Sequence, residues 1–137
     1  MTALRLVSLP LFVYGTLRQD QINHRRYLGG RFLSWLPATL PGQLFYEPQD
    51  EYPCLLPGPG LVRGEIYHLV PATATTTLQR IDRLEDYHPG KERESLYLRR
   101  AALACREDGT GVRVWVYYWN GGRTGRRVPG DDYAAGG

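Results

Sequence analysis

The stretch Thr76-Thr77-Leu78-Gln79-Arg80-Ile81-Asp82-Arg83-Leu84-Glu85-Asp86-Tyr87 carries a helical period in a chain whose other apolar runs are short and strand-like. Leu78, Ile81 and Leu84 recur at helical spacing, which predicts one amphipathic helix after a change of period at Pro71. Thr76 to Gln79 fits a capping box, in which a Thr hydroxyl and a Gln side chain each satisfy a free backbone N–H. The helix is expected to end near Tyr87, because His88 precedes Pro89 and Gly90 follows.

One residue on this helix breaks the amphipathic pattern. With Leu78 placed at the origin of a helical wheel, Glu85 falls at about 340°, between Leu78 and Ile81. A carboxylate therefore projects from the middle of the apolar stripe, with Asp82 on its edge and Arg80 and Arg83 turned toward water. Burying an unpaired charge is costly, so such a Glu is either paired or titrates unusually. Two readings stand side by side: an ion pair with Arg99 or Arg100, or a general acid/base whose pKa is raised by apolar surroundings.

Outward from the helix, Lys91 to Ser95 reads as a charged loop and Leu96 to Cys105 as a strand. Asp108-Gly109 then closes a hairpin onto Val112 to Trp119. In that last strand Val112, Val114 and Val116 point one way, and Arg113, Trp115, Tyr117 and Trp119 the other. On the N-terminal side, Leu9 to Tyr14 reads as a strand entering a turn at Gly15. Asp20 to Leu28 reads as a short helix, capped by Asp20 and stopped by Gly29-Gly30. Phe32 to Leu69 breaks into short apolar pieces, such as Gln43 to Tyr46, Cys54 to Leu56 and Glu65 to Leu69, which look like short strands joined by turns.

After Asn120-Gly121-Gly122 the chain turns Gly- and Arg-rich, so residues 1–122 read as a single domain and 123–137 as a C-terminal loop or tail. The expected class is a strand-rich α+β domain with one main helix and one or two short ones.

The composition supports a folded domain. Hydrophobic residues make up 42% of 137, and 16 Gly with 10 Pro favour turns and short strands over a helical bundle. The net charge of +3 resides in scattered groups (Arg25-Arg26, Arg99-Arg100, and Arg123 with Arg126-Arg127) and reads as solvated surface. No zinc-ligand spacing or basic zipper helix appears, so no nucleic acid is expected as a partner. Cys54 and Cys105 lie far apart and read as two free thiols in a reducing compartment. Cys54, between Pro53 and Leu55, reads as packed rather than nucleophilic. The N-terminal residues show no signal peptide and no segment has the length of a membrane span, so a cytoplasmic protein without membrane contact is expected. His24, His68 and His88 have no metal-ligand spacing, and no metal is expected.

The second candidate element is Tyr14-Gly15-Thr16-Leu17-Arg18. Gly15 permits a tight turn, and successive N–H groups there can converge into an anion-binding nest. The alternative is an ordinary turn at a strand end. The stretch is not a phosphate loop, since no Gly-Lys-Ser/Thr follows.

Phe12-Val13-Tyr14-Gly15-Thr16-Leu17-Arg18 followed by Asn23-His24 resembles the opening signature of the γ-glutamylcyclotransferase-like (AIG2-like) proteins. Tyr52-Pro53, Gly64-Glu65-Ile66-Tyr67, Ile81-Asp82-Arg83-Leu84-Glu85-Asp86-Tyr87, Tyr97 with Arg99, and Trp115-Val116-Tyr117 follow in the family's order, from Leu11 to Tyr118. The resemblance implies a small mixed β-barrel-like α+β fold. It also implies conversion of a small γ-glutamyl amine or γ-glutamyl amino acid into 5-oxoproline, without a cofactor. By the same resemblance Tyr14, Gly15, Thr16 and Leu17 hold the γ-glutamyl part and Glu85 is the acid/base. Tyr117, on the aromatic face of its strand, either orients Glu85 or the substrate or packs in the core. A noncatalytic small-molecule binding protein of the same fold is the alternative, and a basic surface binding nucleic acid ranks third.

Overall fold

A computed structural model describes residues 9–49 and 51–133. The N-terminal residues read above for a signal peptide fall mostly outside that range, as do the last four residues of the expected tail. Five strands form a closed barrel: β1 (Leu11–Val13), β2 (Phe32–Tyr46), β3 (Pro53–Leu69), β4 (Tyr97–Arg106) and β5 (Gly111–Trp119). Their order around the barrel is β1-β3-β2-β4-β5. Every pairing is antiparallel except the closing one, where Leu11 of β1 meets Trp115 of β5 in parallel. Among the described residues two α-helices accompany the barrel, α1 (His24–Leu28) and the longer α2 (Ala74–Leu84), with three short 3₁₀ turns. This is the expected mixed barrel-like α+β fold with one main helix.

Strand alternation divides the core in two. Phe12, Leu40, Leu44, Val62, Ile66, Val114 and Val116 meet inside the barrel. Leu11, Val13, Tyr67, Leu69, Tyr117 and Trp119 point outward, where Leu78 and Ile81 of α2 cover them. Val114 and Val116 thus part from Tyr117 and Trp119, as the pattern of β5 predicts, but both faces are buried. Fully burying a side chain such as Ile81 contributes roughly 1.5–3 kcal/mol.

The structure corrects the local reading in three places. The expected short strands between Phe32 and Leu69 are two long ones, 15 and 17 residues, paired as one bent hairpin. The Pro and Gly residues that read as turns are absorbed in a bulge: the register jumps from Pro41↔Leu61 to Gln43↔Leu56, so Pro57–Gly60 stand against Gly42. A Cβ on Gly42 would lie 2.8 Å from Leu55 Cδ1 and 2.9 Å from the Leu56 carbonyl oxygen, so only Gly fits there. Second, Asp20 does not cap α1. It adopts a left-handed conformation (φ 68°), and α1 begins at His24 with Asn23 at the cap position.

Third, the Thr76 capping box does not form. A 3₁₀ turn at Pro71–Thr73 leads directly into α2 at Ala74, and Thr77 is buried within the helix. Proline at the first position presets the helical φ and starts the helix early. The far end comes early too, at Leu84, and Glu85 is its C-cap.

The Gly/Arg-rich stretch, expected as a loop or tail, is irregular but anchored. The Tyr46 N–H donates to the Arg126 carbonyl (2.8 Å), and the Val128 N–H to that of Leu44 (2.9 Å). Val128 is fully buried among the residues inside the barrel. The buried Asp131 carboxylate accepts the Leu44 N–H (3.0 Å) and pairs with Arg127 (2.8 Å).

Candidate functional site

A cavity of about 280 Å³ opens between β1, the C-terminal end of α2 and the segments that precede β3 and β4. It brings together Tyr14, Gly15, Thr16, Leu17, Glu85 and Tyr117, the residues singled out in the sequence. Asn23, Tyr52, Pro53 and Tyr97 also line it. They figured in the sequence only as parts of the family pattern, because no local property of the chain marks them as cavity walls.

The end of α2 aims Glu85. The Asp86 N–H donates to the Arg83 carbonyl (3.2 Å), and the Tyr87 N–H reaches back to that of Asp82 (2.8 Å). Asp86 is left-handed (φ 54°), completing a Schellman motif with Asp where Gly is usual. The chain leaves the helix sharply, and Glu85 sits at the turn, half-buried, facing the cavity.

Of the two readings of Glu85, the ion pair with Arg99 or Arg100 does not form. Arg99 binds Asp82 through two nitrogens, at 2.9 and 3.2 Å, and Arg100 pairs with the exposed Glu92 at 2.7 Å. The Tyr117 hydroxyl also donates to Asp82, at 2.6 Å. Tyr117 therefore orients Asp82 rather than Glu85, while its ring lines the cavity. Among the described residues the Glu85 carboxylate has no hydrogen-bonding or ionic partner. Burial pushes its pKa up to about 7, and the like charge of Asp82 adds to the effect. Its place at a helix C-terminus, where the dipole disfavours anions, acts in the same direction.

The opposite wall is the turn after β1. Gly15 is a site of close approach: a Cβ there would stand 2.4 Å from Cγ of Pro53. The Arg18 N–H closes the turn onto the Gly15 carbonyl (3.0 Å), and the Asn23 N–H donates to that of Thr16 (2.9 Å). The Asn23 amide also holds the Thr16 hydroxyl oxygen, at 2.9 Å. Behind the turn, the buried Glu65 accepts the Gln19 N–H (2.8 Å) and the Tyr67 hydroxyl (2.9 Å), beside Arg18. The turn is thus rigidly held. Among the described residues, the N–H groups of Gly15, Thr16 and Leu17 have no acceptor within the chain. The turn with these unengaged donors and the unengaged Glu85 carboxyl group line the same small cavity.

Tyrosines form the rest of the enclosure. The Tyr14 hydroxyl donates to the Tyr117 carbonyl (2.5 Å) and that of Tyr97 to the Pro53 carbonyl (2.7 Å). Burial raises both pKa values, so both stay neutral donors. Cys54 is buried beside this wall but does not line the cavity, and burial pushes its thiol up to about 12. It is packed, as its apolar neighbours suggest. Among the described residues no cluster of His, Cys, Asp and Glu has the arrangement of a metal site. No helix among them is long and apolar enough to cross a membrane.

Comparison with known proteins matches residues 11–135 to one family profile, described as gamma-glutamyl cyclotransferase, AIG2-like. The chain belongs to this family. The match reaches past β5 and takes in the anchored Gly/Arg-rich segment. A gamma-L-glutamyl-butirosin B gamma-glutamyl cyclotransferase of Niallia circulans is 36% identical over 116 residues, 85% of this chain and 70% of that protein. The fold is that of an AIG2-like protein of Mus musculus (28% identity, TM-score 0.66, covering 84% of this chain and 79% of that one). An uncharacterized protein of Pyrococcus horikoshii also shares it (25% identity, TM-score 0.62, coverage 93% and 92%).

Proposed function

We propose that this AIG2-like chain is a γ-glutamyl cyclotransferase that converts a small γ-glutamyl amine or γ-glutamyl amino acid into 5-oxoproline and the free amine, with Glu85 as general acid and base. The observation that carries this reading is that the unpaired, half-buried Glu85 lines one cavity with Gly15, Thr16 and Leu17, whose N–H groups have no acceptor among the described residues. Family membership and the Niallia circulans relative support the same reaction class.

The chemistry asks little of the protein beyond shape and a proton carrier. The substrate's own α-amine attacks its side-chain carbonyl carbon. A carbon–nitrogen bond forms, closing a five-membered ring, and the bond to the leaving nitrogen breaks. Holding the substrate folded makes this attack effectively unimolecular. The attacking nitrogen must lose a proton and the leaving nitrogen must gain one. One carboxyl group can serve both steps if it exchanges protons near working pH, and burial pushes Glu85 up to about 7. The turn's N–H groups stabilise the substrate carboxylate or the oxyanion that develops on the attacked carbonyl. Tyr14 and Leu17 wall the γ-glutamyl half, and the Tyr117 ring closes the far side.

The test is 5-oxoproline release across a panel of γ-glutamyl compounds, by the parent chain and by Glu85→Gln. Loss of the acid/base is expected to lower kcat by about 10²–10⁴-fold. Full turnover by a folded Glu85→Gln protein would remove Glu85 from the mechanism. Absence of product from every compound would favour a noncatalytic binding protein.

A further inference from the structure

A second, larger groove of about 590 Å³ shares two walls, Tyr52 and Leu96, with the cavity that holds Glu85. Its other walls include Trp119, Arg123 and Thr124. A third cavity, beside Arg18, Arg63 and Arg106, shares no wall with the Glu85 site. A substrate whose glutamyl half fills the small cavity has its leaving half beyond the scissile nitrogen, and the adjoining groove is where that half can extend.

Resting on the cyclotransferase reading, we propose that this groove receives the leaving half of the substrate and that Arg123 holds a carboxylate on it, so that γ-glutamyl amino acids are preferred over plain γ-glutamyl amines. The groove is built rather than incidental. The Trp119 indole is fixed by donating to the Gly122 carbonyl (2.9 Å), and its ring lies 6.1 Å from that of Tyr52. Together they offer an aromatic wall along which a side chain can lie. Arg123 forms no ion pair among the described residues, whereas neighbouring Arg126 and Arg127 are engaged by Glu51 and Asp131. The groove's acidic residue, Glu47, accepts the Gln49 N–H at 2.9 Å and belongs to its own turn. The groove thus presents one unengaged cation. In a γ-glutamyl amino acid the leaving half carries a carboxylate two bonds from the scissile nitrogen, and a guanidinium fork suits it.

Two substrates that differ only in that carboxylate separate the cases: γ-glutamylalanine and γ-glutamyl ethylamide. The parent chain is expected to favour γ-glutamylalanine. Arg123→Ala should raise KM for γ-glutamylalanine about tenfold, the loss of one charged hydrogen-bonding partner, with kcat unchanged and the ethylamide unaffected. Arg123→Glu should reverse the preference. An equal effect on both substrates, or none, overturns the assignment. Calorimetric titration of Glu85→Gln, alone and with Arg123→Ala, measures the same preference without turnover. Tighter binding of γ-glutamylalanine that the second substitution abolishes supports the role of Arg123; equal affinities, or no binding of either compound, overturn it. Failure of the parent chain to form 5-oxoproline from either substrate would instead count against the acid/base reading, and the titration would still decide the role of Arg123.

Discussion

Replacing Glu85 by Gln should stabilise the fold at alkaline pH while removing activity. Folding carries the Glu85 carboxyl from its ordinary value of about 4.5 up to about 7, chiefly through burial and then through Asp82. Below pH 4.5 the folded and unfolded chains both hold the proton, and this group leaves stability unaffected by pH. Between 4.5 and 7 the unfolded chain gives up its proton first, so the folded state binds more protons and stability falls as pH rises. Above 7 the folded state carries the desolvated charge in full. At 1.36 kcal/mol per pH unit the gap amounts to about 3 kcal/mol. The carboxyl group faces an open cavity, and water there reduces the effect, leaving an expected gain of roughly 1–3 kcal/mol for Glu85→Gln at pH 8 and almost none at pH 4. For a chain of this size that corresponds to about 3–10 °C in Tm. Urea denaturation of both proteins at pH 4, 6 and 8 measures it directly, and their difference cancels every titration they share. Stability–pH curves that run parallel would refute the raised proton affinity and the desolvation from which it is argued.

Other substitutions test the surrounding geometry. Gly15→Ala places a methyl group against Pro53 and should cost about 1–3 kcal/mol, with a clear loss of kcat/KM; urea denaturation that shows no change would contradict the close approach. If Glu85 must be ionised to accept the substrate's proton, kcat/KM should fall as pH drops below about 7, and Asp82→Asn should move that fall to lower pH by removing the neighbouring negative charge. An acid limb that stays in place would separate Asp82 from the tuning of Glu85. Asp131→Ala strips the buried Leu44 N–H of its acceptor and Arg127 of its partner, and should cost about 1–3 kcal/mol in chemical denaturation. A value near zero would mean that the C-terminal segment contributes nothing to the barrel.

Where a structural feature depended on local period, it was legible. The apolar stripe of α2, the alternation of β5 and the hairpin at Asp108-Gly109, where Gly109 has φ 90°, all follow from residues close together in sequence. Glu85 was conspicuous for the same reason, as a charge within a stripe. What the sequence concealed depends on distant partners. Proline and glycine look identical in a turn and in a bulge, and only the pairing of β2 with β3 distinguishes them. Nothing near Asp131 indicates that it will meet Leu44, 87 positions away, so a Gly- and Arg-rich composition reads as a tail. Likewise the wheel places both Asp82 and Glu85 near the stripe, and only the position of β4 decides which of them receives Arg99.

That choice of partner shapes the site. Asp82 takes both the Arg99 guanidinium and the Tyr117 hydroxyl. The cation and the donor that would hold Glu85 ionised and inert are thereby committed one helical turn away, while the charge they leave on Asp82 still repels a second one. An arginine on Glu85 would lower its proton affinity and keep it ionised at neutral pH. A fully apolar shell without Asp82 would also raise the pKa, but it would leave Arg99 without its partner. Pairing the nearer acid and leaving the farther one unpaired reconciles a stable helix–sheet contact with a carboxyl group able to exchange protons near neutral pH. Arg99→Met therefore makes a sharp discriminator. It removes the cation that offsets the Asp82 charge beside Glu85, so the acid limb of kcat/KM should move upward. A downward move would show that Arg99 does not sustain this arrangement.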